Sequence, residues 1–227
     1  MQEEIARLLR KAVSHERIEA YRERGTNGSD SNLFAHYAWN IAICESLYPA
    51  LQGLEVALRN SIHHTIREDR GNNYWFDDRR LIHERDRPLV DKAKAKLTRM
   101  NKPHDEGRVI AELSFGFWTS LFDSRYEQRL WPRYLKTAFP AMPRTIRKRK
   151  TLTKRLNKLR YLRNRVFHHE PIWHWRDLQE QHQMLLETTS WINPAMQALI
   201  TGLDRFDEVY NNRVVPYEAL INQLSRP

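Results

Sequence analysis

Apolar positions along the chain recur at three- and four-residue spacing and strict alternation is scarce, a pattern that predicts an all-α protein. Ile5, Leu8, Leu9 and Ala12 mark a first helix, and Ser14 is placed to cap a second that runs to about Glu23. Residues 25–31 read as a loop. A long helical region opens at Asn32. Pro49 should break or kink it, and its second half runs to about Asp69, before Gly71. Residues 72–87 fit no single pattern, and Pro88 suits the first position of the next helix. Helices are predicted over 88–100, 105–122 and 124–138, with Pro140 and Pro143 as a connector. The stretch 151–168 reads as a strong helix stopped by Pro171, and two or three more helices follow, one starting at Asn193-Pro194. No boundary is sharp enough to divide the chain. The expectation is one all-α domain over 1–227, a multi-helix bundle with peripheral N-terminal helices over 1–30 and additional C-terminal ones.

Composition narrows this picture. A chain of 227 residues, 41% hydrophobic and 29% charged, can bury a real core and is not disordered. Its single cysteine, Cys44, excludes a disulfide framework and a cysteine-based zinc site, and fits a reducing compartment. Met1-Gln2-Glu3-Glu4 lacks the basic and apolar regions of a secretory signal. The least charged stretch, 33–44, is too short and too polar to cross a bilayer, so a cytoplasmic protein with no membrane partner is expected.

Charge adds more. The net charge is +10, yet eleven basic residues lie between Arg144 and Arg165 without one Asp or Glu. The rest of the chain holds 27 basic against 28 acidic residues. A basic excess confined to one segment points to a polyanion as partner.

The candidate chemistry sits at the end of that segment. Leu152, Leu156, Leu159 and Val166 share one helix face, and Arg163 falls within the same stripe while Arg165 does not. An inward guanidinium needs a carboxylate, a phosphate or several carbonyls; a structural ion pair and a ligand both meet that need. Asn164 and His168 are i,i+4 neighbours. Arg163 and His168 would diverge by about 140° on an ideal helix. Pro171, however, disfavours helical geometry at Glu170, and unwinding of the last turn would let Arg163, Asn164 and His168 converge on one small ligand. A helix C-terminus favours protonated histidine, which beside an arginine and an amide is suited to phosphate. Lys154, Lys158, Arg160 and Arg165 are placed to contact phosphates, and Phe167, Trp173 and Trp175 either stack on bases or pack in the core.

Arg163-Asn164-x-x-x-His168 resembles the Arg-x(4–6)-His signature of HEPN domains, including the polar residue directly after the arginine. The longer string Leu-Arg-Asn-Arg-Val-Phe-His-His-Glu-Pro-Ile ending at Ile172 resembles the Abi-like (AbiD/AbiF type) proteins of bacterial phage defence. So do Leu54-Glu55-Val56-Ala57-Leu58-Arg59-Asn60 and Phe115-Gly116-Phe117-Trp118. The likeness spans roughly residues 33–173. It implies a HEPN-type bundle and an endoribonuclease that uses neither metal nor cofactor. His168 would act as general base or acid around the 2′-hydroxyl and the leaving 5′-oxygen. Arg163 would hold the scissile phosphate, and Asn164 would position the histidine or the phosphate. His169 and Glu170 are secondary candidates, with Glu170 orienting an imidazole. DNA should resist cleavage and the product should carry a cyclic phosphate. Two such motifs meet across a dimer interface in this superfamily, so RNA and a second copy of the chain are the expected partners. Control by an antitoxin, an RNA or phage infection is left open. The rival reading is a catalytically silent RNA-binding or regulatory dimer.

The bare spacing recurs at Arg10/His15, Arg99/His104 and Arg176/His182, without an amide after the arginine and without a basic, proline-stopped helix. Arg59-Asn60-Ser61-Ile62-His63-His64 is a closer rival. There Leu51, Leu54, Leu58, Ile62 and Ile66 form the buried stripe, which sets Asn60 and His64 opposite it. Glu55, four residues before Arg59, predicts a local ion pair; the alternative is that Glu55 or Arg59 supports Arg163. The adjacent pairs His63/His64 and His168/His169 diverge by about 100°. No His-Glu-x-x-His run and no glycine-rich phosphate loop is present, so no metal site is expected. Cys44, in an apolar helical stretch, should pack as a small hydrophobe.

Overall fold

The computed structural model of the chain describes residues 2–22 and 29–224. Among them it is all α, with twelve α-helices, no strand, and 3₁₀ turns at Trp75–Asp77 and Ser124–Tyr126. In chain order the helices are α1 (Gln2–Val13), α2 (His15–Arg22), α3 (Asp30–Arg70), α4 (Arg87–Arg99), α5 (Glu106–Glu112) and α6 (Phe115–Ser120). They continue with α7 (Trp131–Ala138), α8 (Arg149–Phe167), α9 (Leu178–Ile192), α10 (Pro194–Leu203), α11 (Phe206–Asn211) and α12 (Val215–Leu224). Four helices therefore follow α8, where two or three are expected from the sequence. The expected end of α2 at Glu23 and most of the 25–31 loop lie outside the described residues.

The chain divides into two compact units: Met1–Ala50 with Leu162–Gln183 and Leu203–Pro227, and Leu51–Tyr161 with Met184–Gly202. In the first, Ile18, Tyr21, Leu33, Phe34 and Ile221 form a core against which Trp173 and Tyr217 pack. In the second, Trp75, Phe117, Trp118, Phe122 and Leu152 are buried, and Phe122 stacks on Trp131 at 4.1 Å between ring centroids. In that unit Gly53 lets α3 approach α10 closely: a Cβ there would lie 2.0 Å from Ile200 Cδ1.

Three departures from the sequence pattern have local causes. α3 runs for 41 residues through Pro49. Proline removes one backbone bond, but Leu47 and Ala50 before the unit boundary and Leu51 and Leu54 after it are buried, so packing maintains the helix on both sides. Segment 33–44 thus belongs to a longer helix. One stretch of α3 is long and apolar enough to cross a membrane by length and composition, and half of it is buried within the protein. The expected helix over 105–122 is split at Leu113-Ser114, where the backbone is extended and Ser114 Oγ accepts the Phe117 N–H at 3.3 Å, capping α6. The expected helix over 124–138 is a 3₁₀ turn followed by α7, which Pro132 opens from within its first turn.

Candidate functional site

α8 buries Leu152, Leu156, Leu159, Leu162 and Val166 and ends in three backbone bonds. The His168 N–H donates to the Asn164 carbonyl at 2.9 Å, the His169 N–H to Val166 at 3.1 Å, and the Glu170 N–H to Arg165 at 3.0 Å. The last two, with His169 at φ 57, form a Schellman motif whose left-handed position is held by histidine instead of glycine. The last turn therefore does not unwind around His168. The helix stays intact to that residue and the chain reverses at His169, ahead of Pro171.

This ending places the motif residues on one local surface. Arg163 is half-buried within the apolar stripe, with its Nε shielded from solvent and its guanidinium carbon 4.2 Å from the Phe167 ring centroid. Arg163 also has a partner beyond the Phe167 ring, while Asn164 and His168 face solvent one turn apart on the same helix face. The Glu170 carboxylate pairs with Arg165. Both side chains of that pair keep about a third of their surface in solvent (35% and 39%), so the pair competes with, and does not abolish, the contacts expected of Glu170 and Arg165.

The sequence reading missed what fixes the following segment. Asn40, 3% exposed on α3, accepts the N–H of Ile172 at 2.7 Å and of Trp173 at 3.2 Å through Oδ1, and donates from Nδ2 to the Glu170 carbonyl at 3.4 Å. Arg17 donates to the His169 carbonyl at 2.6 Å. The one signal for Asn40 was an amide in an otherwise apolar helical run. Beside it lies an apolar groove of about 640 Å³, lined by Ile41, Cys44, Tyr48, Phe167 and His169. Burial pushes the Cys44 thiol up to about 12, so it is not a nucleophile at neutral pH. Phe167 is exposed, Trp175 is half-buried, and Trp173 is half-buried and packs against the core of the first unit.

The earlier motif is arranged differently. Glu55 and Arg59 are both half-buried, Glu55 has a partner, and Arg59 Nε is shielded from solvent. His64 is exposed and His63 is buried. Trp75 Nε1 donates to His63 Nδ1 at 3.0 Å, and the other ring nitrogen lies 2.5 Å from Glu106 Oε1. An indole N–H only donates, so the ring proton sits on Nε2 facing Glu106. Burial lowers the pKa of this histidine, with Glu106 opposing.

Part of the basic segment serves the fold. Arg149 pairs with Glu127 at 2.9 Å, and Arg155 pairs with Glu187 and lies 4.2 Å over Trp191. Lys158 also has a partner. Lys154 is exposed and Arg160 half-exposed. Lys150 and Lys154 line a polar cleft of about 710 Å³ with Arg85, Arg125 and Arg149. Among the described residues no group of three or more His, Cys, Asp or Glu is placed to hold a metal ion. The chain matches no protein-family model, no curated protein and no solved structure.

Proposed function

We propose that this chain is a metal-independent endoribonuclease of the HEPN, Abi-like type, acting in phage defence or as a toxin. The observation that carries the reading is the end of α8, where a half-buried Arg163 and an exposed His168 stand on a basic helix closed by a Schellman turn. A half-buried guanidinium favours a phosphate oxygen over water. The His168 imidazole is exposed and so can reach a substrate proton. The substrate 2′-oxygen attacks the adjacent phosphorus, the bond to the 5′-oxygen breaks, and a 2′,3′-cyclic phosphate forms. His168 takes the hydroxyl proton or supplies one to the leaving oxygen. Arg163 neutralises charge on the phosphoryl oxygens, and Asn164, on the same face as His168, positions the phosphate. The apolar groove with Ile41, Tyr48 and Phe167 exposed supports docking of a second copy, which would join two such ends in one composite site.

The test uses single-stranded and structured RNA with a chelator present. Wild type cleaves and leaves cyclic phosphate ends. His168→Ala and Arg163→Ala each lose at least roughly 10²-fold in rate, the scale of general acid–base and oxyanion contributions, while their circular dichroism and melting remain close to wild type. Equal cleavage by His168→Ala overturns the assignment, loss of activity in chelator overturns the metal-free mechanism, and a strictly monomeric solution mass overturns the composite site.

A further inference from the structure

We infer that the cleft formed by the chain leaving α8 and by α3 and α11 is a binding site for one unstacked base of single-stranded RNA. The inference rests on the ribonuclease reading for its choice of polymer. The cleft, of about 320 Å³, lies at the small end of ligand sites. Trp39, Trp173, Trp175 and Tyr210 line it together with His36. The rings are packed into a tilted aromatic wall: Trp173 lies 4.6 Å from His36 and 5.9 Å from Trp39, and Tyr210 lies 6.4 Å from Trp39, with interplanar angles of 57°, 43° and 40°. Trp39 is fixed by donating to the Val209 carbonyl at 3.1 Å.

Two of the lining residues carry polar ring atoms with unused hydrogen-bonding capacity. The indole N–H of Trp173 is buried without a hydrogen-bond partner among the described residues, whereas such groups ordinarily find one. His36 Nδ1 lies 2.9 Å from the Asn32 carbonyl, so it carries the proton and leaves Nε2 as an acceptor. A donor and an acceptor beside flat aromatic faces suit a nucleobase. Charge selects the polymer that carries it. Arg176 and Arg213 line the same cleft and are both exposed, which favours a phosphate-bearing ligand and disfavours a cationic one. Arg213 holds this place at φ 52, a backbone that glycine would adopt without strain. Trp173 follows His168 by five residues, a reach of at most about 18 Å, so a base in the cleft and a phosphate at His168 would be only a few nucleotides apart.

The experiment is a titration of the full chain with a fully 2′-O-methylated single-stranded oligonucleotide, which cannot be cleaved, and with an abasic strand of equal length. The intact strand is expected to quench tryptophan emission and to bind about tenfold or more tighter than the abasic one, the scale of one stacked base. Trp175→Ala and Arg213→Gly should each weaken binding by about fivefold or more; the second variant also relieves the backbone, so it tests the charge without a folding cost. Equal binding of the abasic strand, unchanged binding by Arg213→Gly, or quenching by a proline-rich peptide in preference to the oligonucleotide overturns the site. Absence of cleavage of unmodified RNA would overturn the nuclease reading alone, and an abasic strand that binds equally well while cleavage persists would overturn the cleft alone.

Discussion

His169 takes a left-handed backbone at the position where a Schellman turn favours glycine. A side chain there costs about 1–2 kcal/mol. Nothing in the turn requires the imidazole, because the three closing bonds are all backbone and the Arg17 contact goes to the carbonyl oxygen. Strain retained where a glycine would relieve it is a mark of functional positions. His169→Gly is therefore expected to stabilise the protein by about 1 kcal/mol in urea denaturation while lowering RNA cleavage. A variant that is both more stable and fully active would remove His169 from the site and leave Arg163, Asn164 and His168 to carry it. The neighbouring residues show why the site was only partly legible. Arg163 within the stripe and the stop before Pro171 follow from local sequence. The Arg165–Glu170 pair and the Asn40 clamp depend on the turn geometry and on a segment 130 residues away, which no local pattern encodes.

Elements meet at His63, which links α3 to α5 through Glu106 and to the 3₁₀ turn through Trp75. The link works with a neutral ring, since protonating Nδ1 would set it against the indole N–H. Burial lowers its pKa below the ordinary 6.5. The unfolded chain then binds more protons between the two values, so stability is complete above about 6.5 and is lost as pH falls from there toward the folded value. Urea midpoints should fall between about pH 7.5 and 5.5 in wild type. The fall should be much smaller in His63→Gln and unchanged in His64→Gln, because His64 is exposed. An equal fall in all three proteins would place the acid sensitivity elsewhere. At this scale most helices were readable from apolar periodicity and caps: α4 and α8 lie within two residues of their expected ranges, and α1 contains all four of its marker residues. The errors came from competing signals of similar local strength. Pro49 is outweighed by burial on both sides, whereas Ser114 acts as a cap inside an apolar run that periodicity alone would continue.

For the whole molecule, the net charge of +10 resolves into cations with different tasks. In sequence, the segment from Arg144 to Arg165 holds no acid. In the fold, Glu127, Glu187 and Glu170 are brought to Arg149, Arg155 and Arg165, so the basic surface without an acidic neighbour is smaller than the sequence implies and includes exposed Arg144, Lys148, Lys150 and Lys154, the last two on α8. Counterion release separates the two classes, because only cations that neutralise phosphates contribute to the salt slope, at about 0.7 per contact on single strands. With a cleavage-resistant RNA, binding isotherms between about 50 and 200 mM salt should give slopes reduced by about 0.7 in Lys150→Ala and in Lys154→Ala, with Arg155→Ala and Arg165→Ala changing the slope little. Arg155→Ala should instead lower stability, since it loses both an ion pair and the face of Trp191. A uniform loss of slope across all four variants would mean that RNA reads the basic segment as undivided charge. Loss confined to the two lysines would mean that the fold first commits its arginines to packing and leaves the lysines of α8 to the polyanion.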